Sequence, residues 1–266
     1  MNSREKQMLE ILKKLKEDFG VVSVKAEFEA EGTRIDELLR LVEISHKSSL
    51  NLTVKIGGCE AIRDLYEAKQ IGVDYIVAPM VESAYAASKF VDAKNMVFSS
   101  DEQNTMEFLT NLETVQGFMN LNEILSCIAG PNGLTGLVFG RVDFVGSKGI
   151  ERKEVDSEIV LNDVLTVAES VKNSGLKIVV GGGVSSDSID FLREVSKTHL
   201  SRYETRKIVF DGASINFKNI SKGLLSAVHF ELLWLLNKQE YYGKIHLEDQ
   251  KRIDMLESRW KILNAK

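Results

Sequence analysis

Short runs rich in β-branched residues alternate with helix-spaced segments along almost the whole chain, and that alternation leaves few folds open. Strand candidates lie at 21–28, 51–57, 74–80, 107–113, 135–143, 177–182 and 207–213, with a weaker run at 95–99. Segments 34–46, 59–71, 83–92, 158–173 and 186–198 carry helical spacing between them. Alternation at this period builds right-handed βαβ units around a parallel sheet. About eight strands in 266 residues predict a closed (β/α)8 TIM barrel rather than an open sheet. Residues 1–220, with an N-terminal helix, are assigned to the barrel, and 221–266 to an extra C-terminal helical extension. The extension reads as an apolar helix, a break at Tyr241–Gly243 and a second, charged amphipathic helix. These helices are expected to close the barrel or to meet a neighbouring subunit in a homo-oligomer.

Charge and cysteine content narrow the setting. A net charge of −5 gives no electrostatic footprint for nucleic acid, and none is expected as a partner. No apolar stretch approaches membrane-spanning length, so no membrane contact is expected. The start of the chain is charged and amphipathic, with Glu5, Glu10, Glu17 and Asp18, unlike a signal peptide. Cys59 and Cys127 form neither a disulfide framework nor a zinc pattern, and a cytoplasmic location is expected.

In a barrel of this kind the chemistry lies at the carboxyl ends of the strands. Glu113 and Asp143 each close an apolar run, with a helix-like segment at 115–129 between them. Two strands flanking a helix bring both carboxylates to one edge, and such a pair suits Mg²⁺, which takes few protein carboxylates. By the two-residue strand period, Lys25 and Glu27 share a face, Lys55 joins them from the next strand, and Arg141 shares a face with Asp143. Three cations beside three anions at one mouth must pair with each other, bind metal or hold a charged substrate. A register-fixing ion-pair network is the plainer alternative.

Glycine turns give a second set of candidates. Gly57-Gly58 and Gly181-Gly182-Gly183 lead from strands towards helices, where bare amides can hold phosphate or carboxylate. The same glycines also make tight strand-to-helix turns. The four histidines, His46, His199, His229 and His246, fall on helices or connections, and no nucleophilic triad is readable.

The strand-end pattern resembles a known family, the metal-dependent 2-oxo-acid aldolases and citrate lyase beta subunits, which include 4-hydroxy-2-oxoheptanedioate aldolase. Leu112-Glu113-Thr114 is similar to the family's Ile-Glu-Thr segment, and Gly140-Arg141-Val142-Asp143-Phe144 to its Gly-x-x-Asp-Leu segment. Pro79-Met80-Val81-Glu82-Ser83, Val54-Lys55-Ile56 and Lys25-Ala26-Glu27-Phe28 also match in order, over roughly residues 20–150.

That resemblance implies a carbon–carbon lyase acting on a small anionic, pyruvate-like 2-oxo acid. Glu113 and Asp143 would hold Mg²⁺ or Mn²⁺, which chelates the substrate oxygens and stabilises an enolate as the neighbouring bond breaks or closes. Lys55, at the family's arginine position, and Arg141 and Glu27 are the catalytic candidates. Lys25, Gly140, Val142 and the Gly181–Gly183 turn are the substrate-contact candidates. The chain departs from the family at three points. Lys55 lacks arginine's bidentate fork, Phe28 replaces a catalytic histidine, and Arg141 replaces a small residue. Two alternatives stay open: a Schiff-base aldolase using Lys55 or Lys25, and a barrel without chemistry that serves as a ligand-binding or scaffold subunit.

Overall fold

A computed structural model describes residues 1–264. The chain begins with α1 (Ser3–Phe19), whose first turn is closed by a reciprocal capping box between Asn2 and Glu5. There follow β1 (Val21–Glu27), α2 (Ile35–Lys47), β2 (Asn51–Lys55), α3 (Ile62–Ile71) and β3 (Tyr75–Ala78). Next come α4 (Ala84–Val97), α5 (Ser100–Thr105), β4 (Glu107–Leu112), α6 (Val115–Met119), α7 (Leu121–Ile128) and β5 (Gly136–Gly140). The chain continues with α8 (Arg141–Ser147), α9 (Glu158–Asn173), β6 (Lys177–Gly181) and α10 (Ile189–Thr198). It ends with β7 (Arg202–Glu204), β8 (Ile208–Asp211) and α11 (Ile220–Asn264).

The eight strands close into one barrel in sequence order, as the alternation predicts. Strands β1 to β7 run parallel, but β8 is antiparallel to both β7 and β1. Only Thr205–Lys207 separate β7 from β8, and so short a link makes a hairpin, because a parallel return needs a dozen or more residues. The run at 95–99 is not a strand; it lies on the end of α4 and the turn after it. The missing strand is β7, a three-residue segment too short to show a period.

Side chains alternate across the barrel wall. Outward residues such as Ile76, Leu137, Ile178, Tyr203 and Phe210 join the fully buried layer beneath the helices. Inside, Val77, Leu109, Val138 and Val179 form a small apolar cluster of their own. Glu107 sits at the amino-terminal end, where Arg202 and Lys177 both reach it. Burial acts to raise the Glu107 carboxyl, but those two cations hold it below the usual carboxylate range. The interior is therefore plugged at one end and polar at the other.

The expected break at Tyr241–Gly243 is absent: α11 is continuous over 45 residues, about 67 Å at the usual helical rise. Tyr242 and Lys238 both bond Glu37 of α2, which anchors the helix where Gly243 would otherwise weaken it. Its first part packs on α1, with Leu224, Phe230 and Leu233 buried. Its last turns carry exposed Ile253, Leu256 and Leu263. Among the described residues no helix is long and apolar enough to cross a membrane.

Candidate active site

The carboxyl ends of the strands surround a cavity of about 790 Å³. Lys25, Glu27, Lys55, Glu113, Gly140, Val142, Asp143 and Gly181–Gly183 all line it. One predicted residue is missing from that wall. Strand β5 stops at Gly140, so Arg141 and Asp143 lie on a helical turn rather than on the strand, and their side chains part company. Arg141 turns away from the mouth and is wholly buried. It donates to the Gly181 carbonyl at 3.1 Å and to Ser188 Oγ at 3.3 Å, ion-pairs with Asp156 and lies 4.8 Å from the Phe191 ring centre. Its side chain makes these contacts away from the cavity and clamps the end of β6 to the neighbouring turns.

Glu113 is the most constrained acid at the mouth. Its Oε1 accepts from the Met80 amide at 3.0 Å, and its Oε2 accepts from Asn111 Nδ2 at 2.6 Å. Met80 holds φ at +50°, a left-handed conformation unusual outside glycine, and this turn aims its amide at Glu113. Gly140 leaves the space the carboxylate needs, since a Cβ there would lie 2.7 Å from Glu113 Oε2. Lys55 Nζ stands 3.6 Å from Oε2 and 3.0 Å from Glu29. Burial pushes the Glu113 carboxyl above its ordinary range; Lys55, Asn111 and Met80 oppose the shift, and the charge on Asp143 adds to it.

The other side of the mouth is a closed ion network. Lys25 pairs with Glu204 and, at 3.1 Å, with Glu27; Glu27 also meets Arg206 at 3.4 Å. Burial alone would lower Lys25, but Glu204 and Glu27 raise it well above the ordinary lysine range. A Schiff base needs a neutral amine, so this environment works against one at Lys25. Burial also acts to raise Glu27, yet Lys25 and Arg206 hold it low. Lys207 pairs with Glu31, and Glu231 of α11 lines the same side.

Asn111, Glu29, Glu204, Arg206 and Lys207 were not predicted as site residues. Asn111 was findable, because it shares the inward face with Glu113 two residues away. The others come from an irregular loop, a three-residue strand and a hairpin tip, where no period marks them. The glycine turn 181–183 has its own structural reason. Gly182 and Gly183 hold φ at +78° and +72°, and a Cβ on Gly182 would lie 2.6 Å from the Arg141 and Val142 amides. The Gly57 amide is already bonded to Asp64, and the helix after it starts at Ile62. Phe28 packs partly buried against the main core, so no side chain enters the mouth from that position.

The profile of the HpcH/HpaI aldolase/citrate lyase family matches residues 22–196, about two thirds of the chain and all of the barrel from β1 through most of α10. The chain belongs to this family. It is accordingly a carbon–carbon lyase by class, on a TIM-type barrel with a C-terminal helix. An HpcH/HpaI aldolase from Desulfitobacterium hafniense DCB-2 superposes with a TM-score of 0.60 at 13% identity, over 77% of this chain and 83% of that one. An HpcH/HpaI aldolase/citrate lyase family protein from Burkholderia cenocepacia J2315 gives 0.58 at 11%, over 88% and 98%. The citrate synthase SbnG gives 0.55 at 17%, over 84% and 89%. At such identities these neighbours speak for the fold alone. No curated protein matches the sequence.

The site also bears on whether a divalent ion suits it. Among the described residues no cluster of three or more Asp, Glu, His or Cys side chains is placed to hold a metal. Two carboxylates are nevertheless the usual protein share for Mg²⁺, with substrate and water completing the shell. Asp143 has no cation partner within ion-pair distance among the described residues, Glu113 is destabilised as an anion, and the buried Oδ1 of Asn111 accepts no hydrogen bond. Hard, under-neutralised oxygen donors on one wall fit such an ion.

Proposed function

We propose that this lyase acts on a pyruvate-like 2-oxo acid and depends on Mg²⁺ or Mn²⁺ held by Glu113 and Asp143. The observation that carries the reading is that Glu113 and Asp143 line the same cavity at the carboxyl ends of the strands, beside the unsatisfied Oδ1 of Asn111. When bound, the ion supplies Lewis acidity towards the carboxylate and keto oxygens of the substrate. Lys55 faces the charge that develops on the same oxygens, held in place by Glu29. Asn111 and the Met80 amide fix the Glu113 rotamer. Glu27 keeps Lys25 and Arg206 in place instead of carrying protons. Gly140, Val142 and the 181–183 turn form the wall against which the substrate lies.

The test is exchange of the pyruvate methyl protons in deuterium oxide, followed by NMR with Mg²⁺ or Mn²⁺ and with chelator. Exchange that needs the ion supports the proposal. No exchange with any divalent ion, and none bound, would reject it. Phe28 supports the second reading, a barrel that binds a ligand without turning it over, and that outcome would favour it.

The same proposal has the chain assemble with copies of itself through α11. Exposed Leu225, Val228, Leu232 and Leu235 follow a three–four spacing that resumes at Ile253, Leu256 and Leu263. In a parallel pairing on that seam, Arg252 of one copy faces Glu257 of the other. Sedimentation should show an oligomer that an Ile253→Asp, Leu256→Asp double variant converts to monomer without loss of barrel stability. A monomeric unmodified chain would overturn the assembly.

A further inference from the structure

Eight carboxylates line the mouth, and most are already engaged. Glu27 and Glu204 hold Lys25, Glu31 holds Lys207 and Arg206, and Glu37 accepts from Lys238 and Tyr242. Glu113 and Asp143 belong to the ion in the reading above. Two acids remain, Glu231 and Glu29. Glu231 stands on α11 and is raised by burial, with Lys207 and Arg206 of the β7–β8 hairpin opposing. Glu29 instead meets the Lys55–Glu113 side of the cavity, and Lys55 is its one ion-pair partner among the described residues.

The strand end delivers Glu29 to that place. The β1–β2 ladder runs on past Glu27, because the Phe28 amide donates to the Lys55 carbonyl at 2.8 Å. Phe28 packs against the core, and the next residue, Glu29, lines the mouth on the other face. Its Oε2 lies 3.0 Å from Lys55 Nζ, which lies 3.6 Å from Glu113 Oε2, which accepts from Asn111 Nδ2. Asn111, Glu113, Lys55 and Glu29 thus form one chain of contacts along the wall. Both outer members carry a buried oxygen that accepts no hydrogen bond, Asn111 Oδ1 and Glu29 Oε2. Unmet acceptors call for a ligand that brings donors, such as a hydroxyl group. The Glu29 side chain is 27% exposed, so a molecule in the cavity can reach its carboxylate. The wall has few other candidates to move a proton: among the described residues no histidine, cysteine or tyrosine lines it.

Resting on the lyase reading above, we propose that Glu29 is the proton carrier of the reaction, taking the hydroxyl proton of a 4-hydroxy-2-oxo acid as the C3–C4 bond breaks. The O–H electron pair becomes the second bond of the aldehyde C=O. The C3–C4 pair becomes the C2–C3 double bond, and the keto pair moves onto oxygen as the enolate of pyruvate. After the aldehyde leaves, the protonated Glu29 returns its proton to C3, which completes the methyl group and restores the carboxylate. Lys55 stays protonated and serves both the enolate oxygen and Glu29.

The experiment uses the full chain with Mn²⁺. Glu29→Gln should slow pyruvate methyl exchange and cleavage of 4-hydroxy-2-oxopentanoate together, by about 100–10,000-fold. Calorimetric binding of oxalate, which mimics the enolate, should stay at the parent value, because glutamine keeps an oxygen for Lys55. Glu29→Ala should be equally slow, and added formate, which fits the vacated space, should restore exchange in that variant but not in Glu29→Gln. Oxalate binding that weakens in step with the rate would show a residue that only positions Lys55, and would overturn the proposal. Unchanged exchange in Glu29→Gln would overturn it as well. Absence of metal-dependent exchange in the unmodified chain would instead reject the parent reading, and this one with it.

Discussion

Glu113→Gln is expected to abolish lyase turnover while raising the melting temperature of the metal-free protein. The activity arm follows from losing one of two ion-holding carboxylates. Several kcal/mol of charge stabilisation disappear with it, about a thousandfold or more in rate. The stability arm follows from the raised carboxyl. A group whose folded pKa lies above its unfolded value favours folding at low pH, and that contribution is lost as pH rises through the folded pKa. At neutral pH the charged Glu113 is therefore a cost in the metal-free barrel, one that a bound cation would relieve. Glutamine removes the charge and keeps the acceptor for the Met80 amide. A flipped Asn111 would then offer its orphaned Oδ1 to the new amide nitrogen. Scanning calorimetry from pH 7 downwards should show the gap between variant and parent closing as the parent takes up its proton. Added Mn²⁺ should stabilise the parent and not the variant. A variant less stable than the metal-free parent at neutral pH would contradict this account of Glu113.

Arg141→Met is expected to fail in a different way, through the fold. The side chain is wholly buried, clamps the end of β6 and the two short turns at 152–156 and 186–188, and neutralises Asp156. Removing one partner of such a network costs about 3 kcal/mol, which lowers the melting temperature of a domain this size by about 10 °C. Lysine should recover little, since a point charge cannot reach Gly181, Ser188 and Asp156 together. The outcome also separates two roles for the residue. An arginine holding a substrate carboxylate would raise KM on removal and leave the melting temperature nearly unchanged. Thermal melts beside steady-state kinetics decide between them.

Much of the architecture was open to reading from local pattern. Short β-branched runs marked seven of the eight strands, and a two-residue period put Lys25, Glu27 and Lys55 on one face. Asn111 obeyed that rule as well. Where the pattern was short or broken, the reading failed. Three residues at 202–204 carry no detectable period, and 95–99 holds apolar residues that serve α4. Gly243 suggested a helix break that anchoring of Tyr242 and Lys238 on Glu37 overrides.

Sequence alone thus determined the alternating elements and the barrel, because those features depend on neighbours within a few residues. Tertiary structure decided the reversal of β8, the burial of Arg141 and the pairing of the mouth's cations. Lys25 meets Glu204 across 179 residues of chain, and Lys207 meets Glu31 across 176. No local period encodes such pairs. They are chosen by the desolvation cost of leaving a buried charge alone, a quantity defined only once the barrel has closed.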